Sequence, residues 1–153
     1  MEQKMTLTKE QLFKAMRMNE QKSDENKSEP KSNLSFKNMV STLFHSQTQV
    51  HIFHLQTKSF SEHKALQKYY EEIDGLVDSI IESYQGKYDI IENYDSIKNQ
   101  DYESIEQVIN YFKSLDSMID KARKNVKESY IQNQIDGIQE LIYSTLYKLR
   151  FLK

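Results

Sequence analysis

The four histidines of this 153-residue chain, His45, His51, His54 and His63, fall within 19 consecutive positions. Imidazole is the commonest side-chain ligand for transition metals, and such crowding points to metal chemistry. His51 and His54 are three apart and share one face of a helix. His63 follows the short polar break Thr57 to Ser61, so a hairpin carries all three to one end of the molecule. A second set of candidate ligands, Asp74, Asp78 and Glu82, recurs every four residues as an acidic ridge. Asp78 and Glu82 are ~6 Å apart along a helix axis, close enough to hold one cation. Asp78 lies between Val77 and Ile80, beside an apolar stripe, where an acid needs a partner. The plainer reading is a solvated acidic face and hydrogen-bonded histidines near a loop.

Distance decides how the two sets can cooperate. Fifteen residues of helix separate His63 from Asp78, or ~22 Å, whereas metal–ligand bonds are ~2 Å. One chain cannot bring them together. Two copies paired antiparallel can, with the histidine end of one against the acids of the other. Cysteine is absent, which excludes thiolate sites and leaves His, Asp, Glu or Tyr as ligands for iron, manganese or zinc.

The elements that must position these residues are helical. With three Gly and one Pro, the chain lacks the turn residues that an all-β domain requires. Residues 1–33 read as a short amphipathic helix and a flexible linker. Thr8 and Gln11 form a capping box ahead of Leu12, Phe13 and Met16, and positions 19–33 contain no large apolar side chain. Residues 34–153 read as a four-helix bundle. The first long helix starts near Ser35 as N-cap and carries the stripe Phe36, Met39, Val40, Leu43, Val50 and Phe53. The second runs from about Ser61 to Tyr84, with Gly86 as its stop. The third begins near Asp101, and the fourth runs from about Ser129 to the chain end, with Leu152 closing its stripe. Gly137 interrupts that stripe and offers a neighbouring helix a close approach. The polar run Lys121 to Lys127 holds the last turn.

The connection between the second and third helices sets the topology. Its ~15 residues span up to ~50 Å, against ~36 Å for a 24-residue helix. It can therefore run the length of the bundle, which favours two antiparallel hairpins joined by a long crossover, the ferritin-like connectivity, over a simple up-down-up-down order.

Other chemistries lack residues. There is no Gly-x-Ser-x-Gly elbow and no Gly-rich phosphate loop. Ten tyrosines read as core-edge residues. No segment approaches the ~20 apolar residues of a membrane span, and no signal peptide is seen, so a cytoplasmic protein is expected. Residues 1–33 carry seven basic and six acidic side chains, a balance of +1. Counterion release from so weak a charge is small, and DNA binding is not expected.

The run His54-Leu55-Gln56-Thr57-Lys58-Ser59-Phe60-Ser61-Glu62-His63, followed by Tyr70, Asp78 and Glu82, resembles the Dps-type members of the ferritin-like superfamily. It also looks like a group of small bacteriophage proteins with the same His-turn-His pattern. The resemblance covers about 35 residues. It implies a ferroxidase site across a two-fold subunit interface, within a homo-oligomer whose minimal unit is a dimer and whose full form is a twelve-subunit shell. His54 (or His51, which has the spacing to His63 of an ungapped match) and His63 would be the imidazole ligands. Asp78 and Glu82 would come from the partner copy, with Gln67, Tyr70 and Asp74 around them. Three features depart from the pattern. Leu55 stands where the family has Trp, Gln67 stands where it has an acid, and the N-terminal tail is nearly neutral. The loss of the acid points to a single ion, or to a vestigial site, rather than a full di-iron centre.

Two functions are thus expected. The first is iron or related divalent-metal binding at a subunit interface, with Fe(II) oxidation as the implied activity. The second is a non-enzymatic helical scaffold, a virion component or host-factor binder, with a vestigial metal site.

Overall fold

The computed structural model describes residues 31–152, with side chains from Leu34 onward. The expected N-terminal helix and most of the linker lie outside these residues. Four helices follow: α1 (Lys31–Gln56), α2 (Phe60–Lys87), α3 (Ile105–Arg123) and α4 (Ser129–Phe151). There is no strand among the described residues. No described helix is long and apolar enough to cross a membrane.

Local chemistry sets the helix ends. The Ser59 hydroxyl accepts the Glu62 N–H and starts α2, and the Ser104 hydroxyl accepts the Gln107 N–H and starts α3. Each satisfies an amide that the first helical turn leaves open. Three sequence expectations are corrected here. α1 begins at Lys31, so Ser35 lies inside the helix and does not cap it, and linker residues 31–33 are helical. α2 continues through Gly86 to Lys87. α3 starts after Ser104 rather than at Asp101, because Ser104 is the residue placed to cap it.

The predicted stripes form the core. Phe36, Met39, Val40, Leu43, Val50 and Phe53 of α1 are all buried, as are Ile131, Ile135, Ile138, Ile142, Leu146 and Leu149 of α4. Leu152 is exposed, because α4 ends at Phe151 and the stripe ends with it. Aromatic rings lock the layers: Phe36 stacks on Tyr84 at 3.8 Å, and Tyr69 meets Phe112 edge-on at 4.8 Å. The Tyr69 hydroxyl, wholly buried, donates to Ser46 Oγ at 2.8 Å, and Ser46 donates to the Leu43 carbonyl at 2.6 Å. That chain satisfies both hydroxyls in a place without water. Gly137 does not admit a close helix, since a Cβ built there would meet nothing within 4 Å.

Contacts along the helices fix their directions. Phe36–Tyr84, Ser46–Tyr69 and His54–His63 are successive rungs between α1 and α2, which run antiparallel. α3 also runs antiparallel to α1, with Phe53 against Tyr111 at one end and the Asn125 amide donating to Ser35 at the other. α4 packs on α2 and on α3, so α2 and α3 stand diagonally opposed. Residues 88–104 cross between them along α1. Ser41 accepts the Asp95 N–H, Gln49 bonds both the N–H and the carbonyl of Gln100 at 2.7 Å, and Gln56 accepts the Tyr102 N–H. The crossover thus covers one flank of α1. Phe44, Thr48, His51 and Leu55 remain as its exposed strip.

Candidate metal centre

The end of the α1–α2 hairpin is tied down from three sides. Thr57 and Tyr102 both donate hydroxyl protons to the Glu62 carboxylate, at 2.6 and 2.8 Å. This joins the turn, the first turn of α2 and the end of the crossover. Burial, followed by the adjacent Glu62 carboxylate, raises the Tyr102 phenol above its ordinary range and keeps it a donor.

Within this frame the histidines meet. His54 Nδ1 lies 2.8 Å from the His63 carbonyl, and His63 Nδ1 lies 3.0 Å from the His54 carbonyl. A carbonyl only accepts, so each Nδ1 carries its ring's proton. The neutral tautomer of each ring then has its lone pair on Nε2, and neither Nε2 has a hydrogen-bond partner among the described residues. A metal-binding histidine needs this state, with one ring nitrogen held by an outer acceptor and the other open. The two rings stack with centroids 3.6 Å apart. His54 is buried, at 6% exposure. His51 lies one turn earlier, exposed, its ring stacked on Tyr70 at 4.1 Å and 5.7 Å from His54. Tyr70 also meets His54 edge-on at 5.1 Å.

The structure therefore brings His51, His54, His63 and Tyr70 together. It does not bring the acids to them. Asp74, Asp78 and Glu82 are all exposed along α2. The expectation that Asp78 abuts the buried seam is corrected. Val77 and Ile80 turn inward, and the 100° step between residues carries Asp78 outward. Among the described residues no group of three or more His, Asp or Glu gathers within one chain in a way that could hold a metal ion. The donor set still suits a cation. The two open imidazole nitrogens are borderline donors of the kind that zinc, iron or manganese takes. Gln67 supplies no charge. Its amide bridges Lys64 and Glu71, accepting at 2.9 Å and donating at 2.8 Å.

His45 is separate from this group. It lies on the crossover flank of α1 between Ser41 and Gln49, and its buried Nε2 has no partner. The sequence reading also missed the glutamine clamps on the crossover. Their signal is Ser41, Gln49 and Gln56 recurring at helical spacing beside an apolar stripe.

No curated protein and no solved structure is detectably similar to the chain. One family matches, described as "Family of unknown function (DUF5856)", over residues 54–149. The match begins at His54 and takes in all of α2, α3 and the crossover, and nearly all of α4. It spans more than half of the chain, which therefore belongs to that family of unknown function.

Proposed function

We propose that the protein binds iron, or zinc or manganese in its place, between two copies of the chain paired through the α1–α2 face. His54 and His63 come from one copy and Asp78 and Glu82 from the other. His51 stands beside the imidazoles as an alternative ligand. Tyr70 and Asp74 line the surroundings. The observation that carries this reading is the mutual Nδ1 anchoring of His54 and His63, which leaves two oriented imidazoles with open Nε2 atoms.

Charge supports the same pairing. Before Tyr70, α2 carries Glu62, Lys64 and Lys68, and after it Glu71, Glu72, Asp74, Asp78 and Glu82. Antiparallel α2 helices that set His63 opposite Asp78 also set Gln67 opposite Asp74 and bring Lys64 and Lys68 toward the partner's acidic stretch. The exposed strip of α1, with Phe44 and Leu55 flanking His51, supplies apolar area on the same side. The lengthwise crossover and the diagonal α2 and α3 favour a ferritin-like architecture, and with it the Dps-type resemblance and a larger shell of such dimers. With Gln67 neutral, each interface site holds one ion. Bound iron would supply Fe(II)/Fe(III) chemistry there, and the chain's own residues would hold and orient it.

Mixed pairs test the reading. Neither His63→Ala nor Asp78→Ala protein should bind Fe(II) or Zn(II) alone. Mixing them regenerates one intact site per hetero-pair, so elemental analysis should find binding restored in the mixture. Two unbinding variants that stay unbinding when mixed, or a wild-type chain that holds no metal, would leave the second reading. That reading is a scaffold that presents Leu55 and Phe60, 69% and 78% exposed at the hairpin tip, to a virion or host protein.

A further inference from the structure

The end of the crossover reaches both arms of the hairpin that carries the histidines, and it does so through Tyr102. The Tyr102 N–H donates to Gln56 Oε1 at 2.6 Å, and the Tyr102 hydroxyl donates to Glu62 Oε2 at 2.8 Å. Gln56 stands two residues after His54 at the end of α1, and Glu62 stands immediately before His63 in the first turn of α2. A single residue therefore spans the gap that the two imidazoles must keep. Phe53, the neighbour of His54, meets the Tyr102 ring edge-on at 6.4 Å and braces it between the arms.

Further bonds stiffen the span. Gln56 also donates to the Asp101 carboxylate at 2.9 Å, and the Asp101 carbonyl accepts the Gln107 side-chain amide at 3.0 Å. The end of the crossover is thus anchored to α3 as well as to α1. On the other arm, Thr57 donates to the same Glu62 oxygen at 2.6 Å. Thr57 sits in the turn and moves with the hairpin, whereas Tyr102 belongs to a separate part of the chain. Tyr102 thus refers the hairpin end to the rest of the bundle. Loss of an outer hydrogen bond that orients ligands typically weakens metal binding roughly 10- to 100-fold.

We infer that Tyr102 is a positioning residue for the His54–His63 pair, holding the two arms at the separation the stacked rings require. Its consequence for metal affinity rests on the interface site proposed above, whereas its hold on the rings depends on no ion.

The test is Tyr102→Phe in the full chain, which keeps the ring and the backbone bond and removes only the hydroxyl. In the metal-free protein, NMR should show the Nδ1 protons of His54 and His63 exchanging with solvent about tenfold faster. The Gln100 amide, held by Gln49, should stay as protected as in the wild type. Glu62→Ala should repeat the effect, and Glu62→Gln, which keeps an oxygen for the Tyr102 hydroxyl, should preserve slow exchange. Zn(II) affinity, read by calorimetry, should fall about tenfold in Tyr102→Phe and in Glu62→Ala but not in Glu62→Gln. Ring-proton exchange unchanged in Tyr102→Phe would overturn the inference. So would equal acceleration at Gln100, the mark of a crossover that merely loosens, or a Glu62→Gln chain as fast as Glu62→Ala. A wild-type chain that takes up no Zn(II) would remove the metal reading instead, and the ring-proton result would still decide the role of Tyr102.

Discussion

His54 and His63 each accept, on the backbone carbonyl, the ring proton of the other, at 2.8 and 3.0 Å. The last turn of α1 and the first of α2 are thereby cross-tied by two side chains that also keep their open nitrogens side by side. One arrangement serves stability and presents ligands, and the two roles separate on substitution.

His54→Ala removes one tie, leaves the His63 carbonyl without its donor and opens a void under a buried ring. Urea denaturation should show a loss of roughly 2 kcal/mol. His51→Ala removes only an exposed ring and should change stability by less than about 0.5 kcal/mol. Equal losses for the two variants would deny the cross-tie its structural role.

The Gln49 amide is buried and holds Gln100 through two bonds of 2.7 Å. Gln49→Leu should cost about 2 kcal/mol, since it strands both backbone groups. Hydrogen exchange should speed up at the Gln100 amide far more than at the core amides of α2. Uniform acceleration would mean that the crossover is not an independent layer.

Gln67→Glu places an acid opposite the partner's Asp74 in the proposed pairing and supplies the carboxylate that the site lacks. Metal affinity should rise roughly tenfold, read by calorimetric titration with Zn(II). In wild-type protein, added Zn(II) at a hundredfold excess over its dissociation constant should raise stability by ~2.7 kcal/mol, reversed by a chelator. A thermal midpoint indifferent to both would count against the metal site.

Two surface contacts make stability depend on pH. The Arg123 guanidinium, 2.6 Å from Asp136, holds that carboxyl below its usual range, and the Tyr88 hydroxyl does the same for Glu128. A lowered carboxyl contributes stability above its unfolded pKa and loses it as pH falls through the folded one. Asp136→Asn should therefore flatten the acid limb of the stability curve. Tyr88, hydrogen-bonded to Glu128, is pushed up to about 12. Its contribution is complete below the ordinary phenol value of 10.0 and disappears as pH rises through about 12. Spectrophotometric titration of Tyr88→Phe should lack one late-ionising phenol.

The four helices were legible because their apolar spacing is strong from Phe36 to Leu149, and burial follows spacing wherever one stripe faces one core. Helix ends were less so. Ser35 and Ser104 are equally good capping residues by type, and only tertiary context makes one a cap and leaves the other inside a helix. The histidine cluster was readable from the short turn that returns the chain on itself. The bonds that orient it were not, because they run to backbone carbonyls, which every residue has. Asp78 misled because adjacency to Val77 in sequence is a 100° rotation on the helix, enough to carry a side chain from seam to solvent.

The crossover also imposes an order on folding. Its grip on α1 joins positions about fifty residues apart, and it has nothing to hold until α1 already lies against α2. α3 cannot find its place until that strap has been laid down its full length. The hairpin nearest the N-terminus should thus nucleate the molecule and α3 should seat late, so a nascent chain released just after Lys87 would expose a row of unfilled amides along α1.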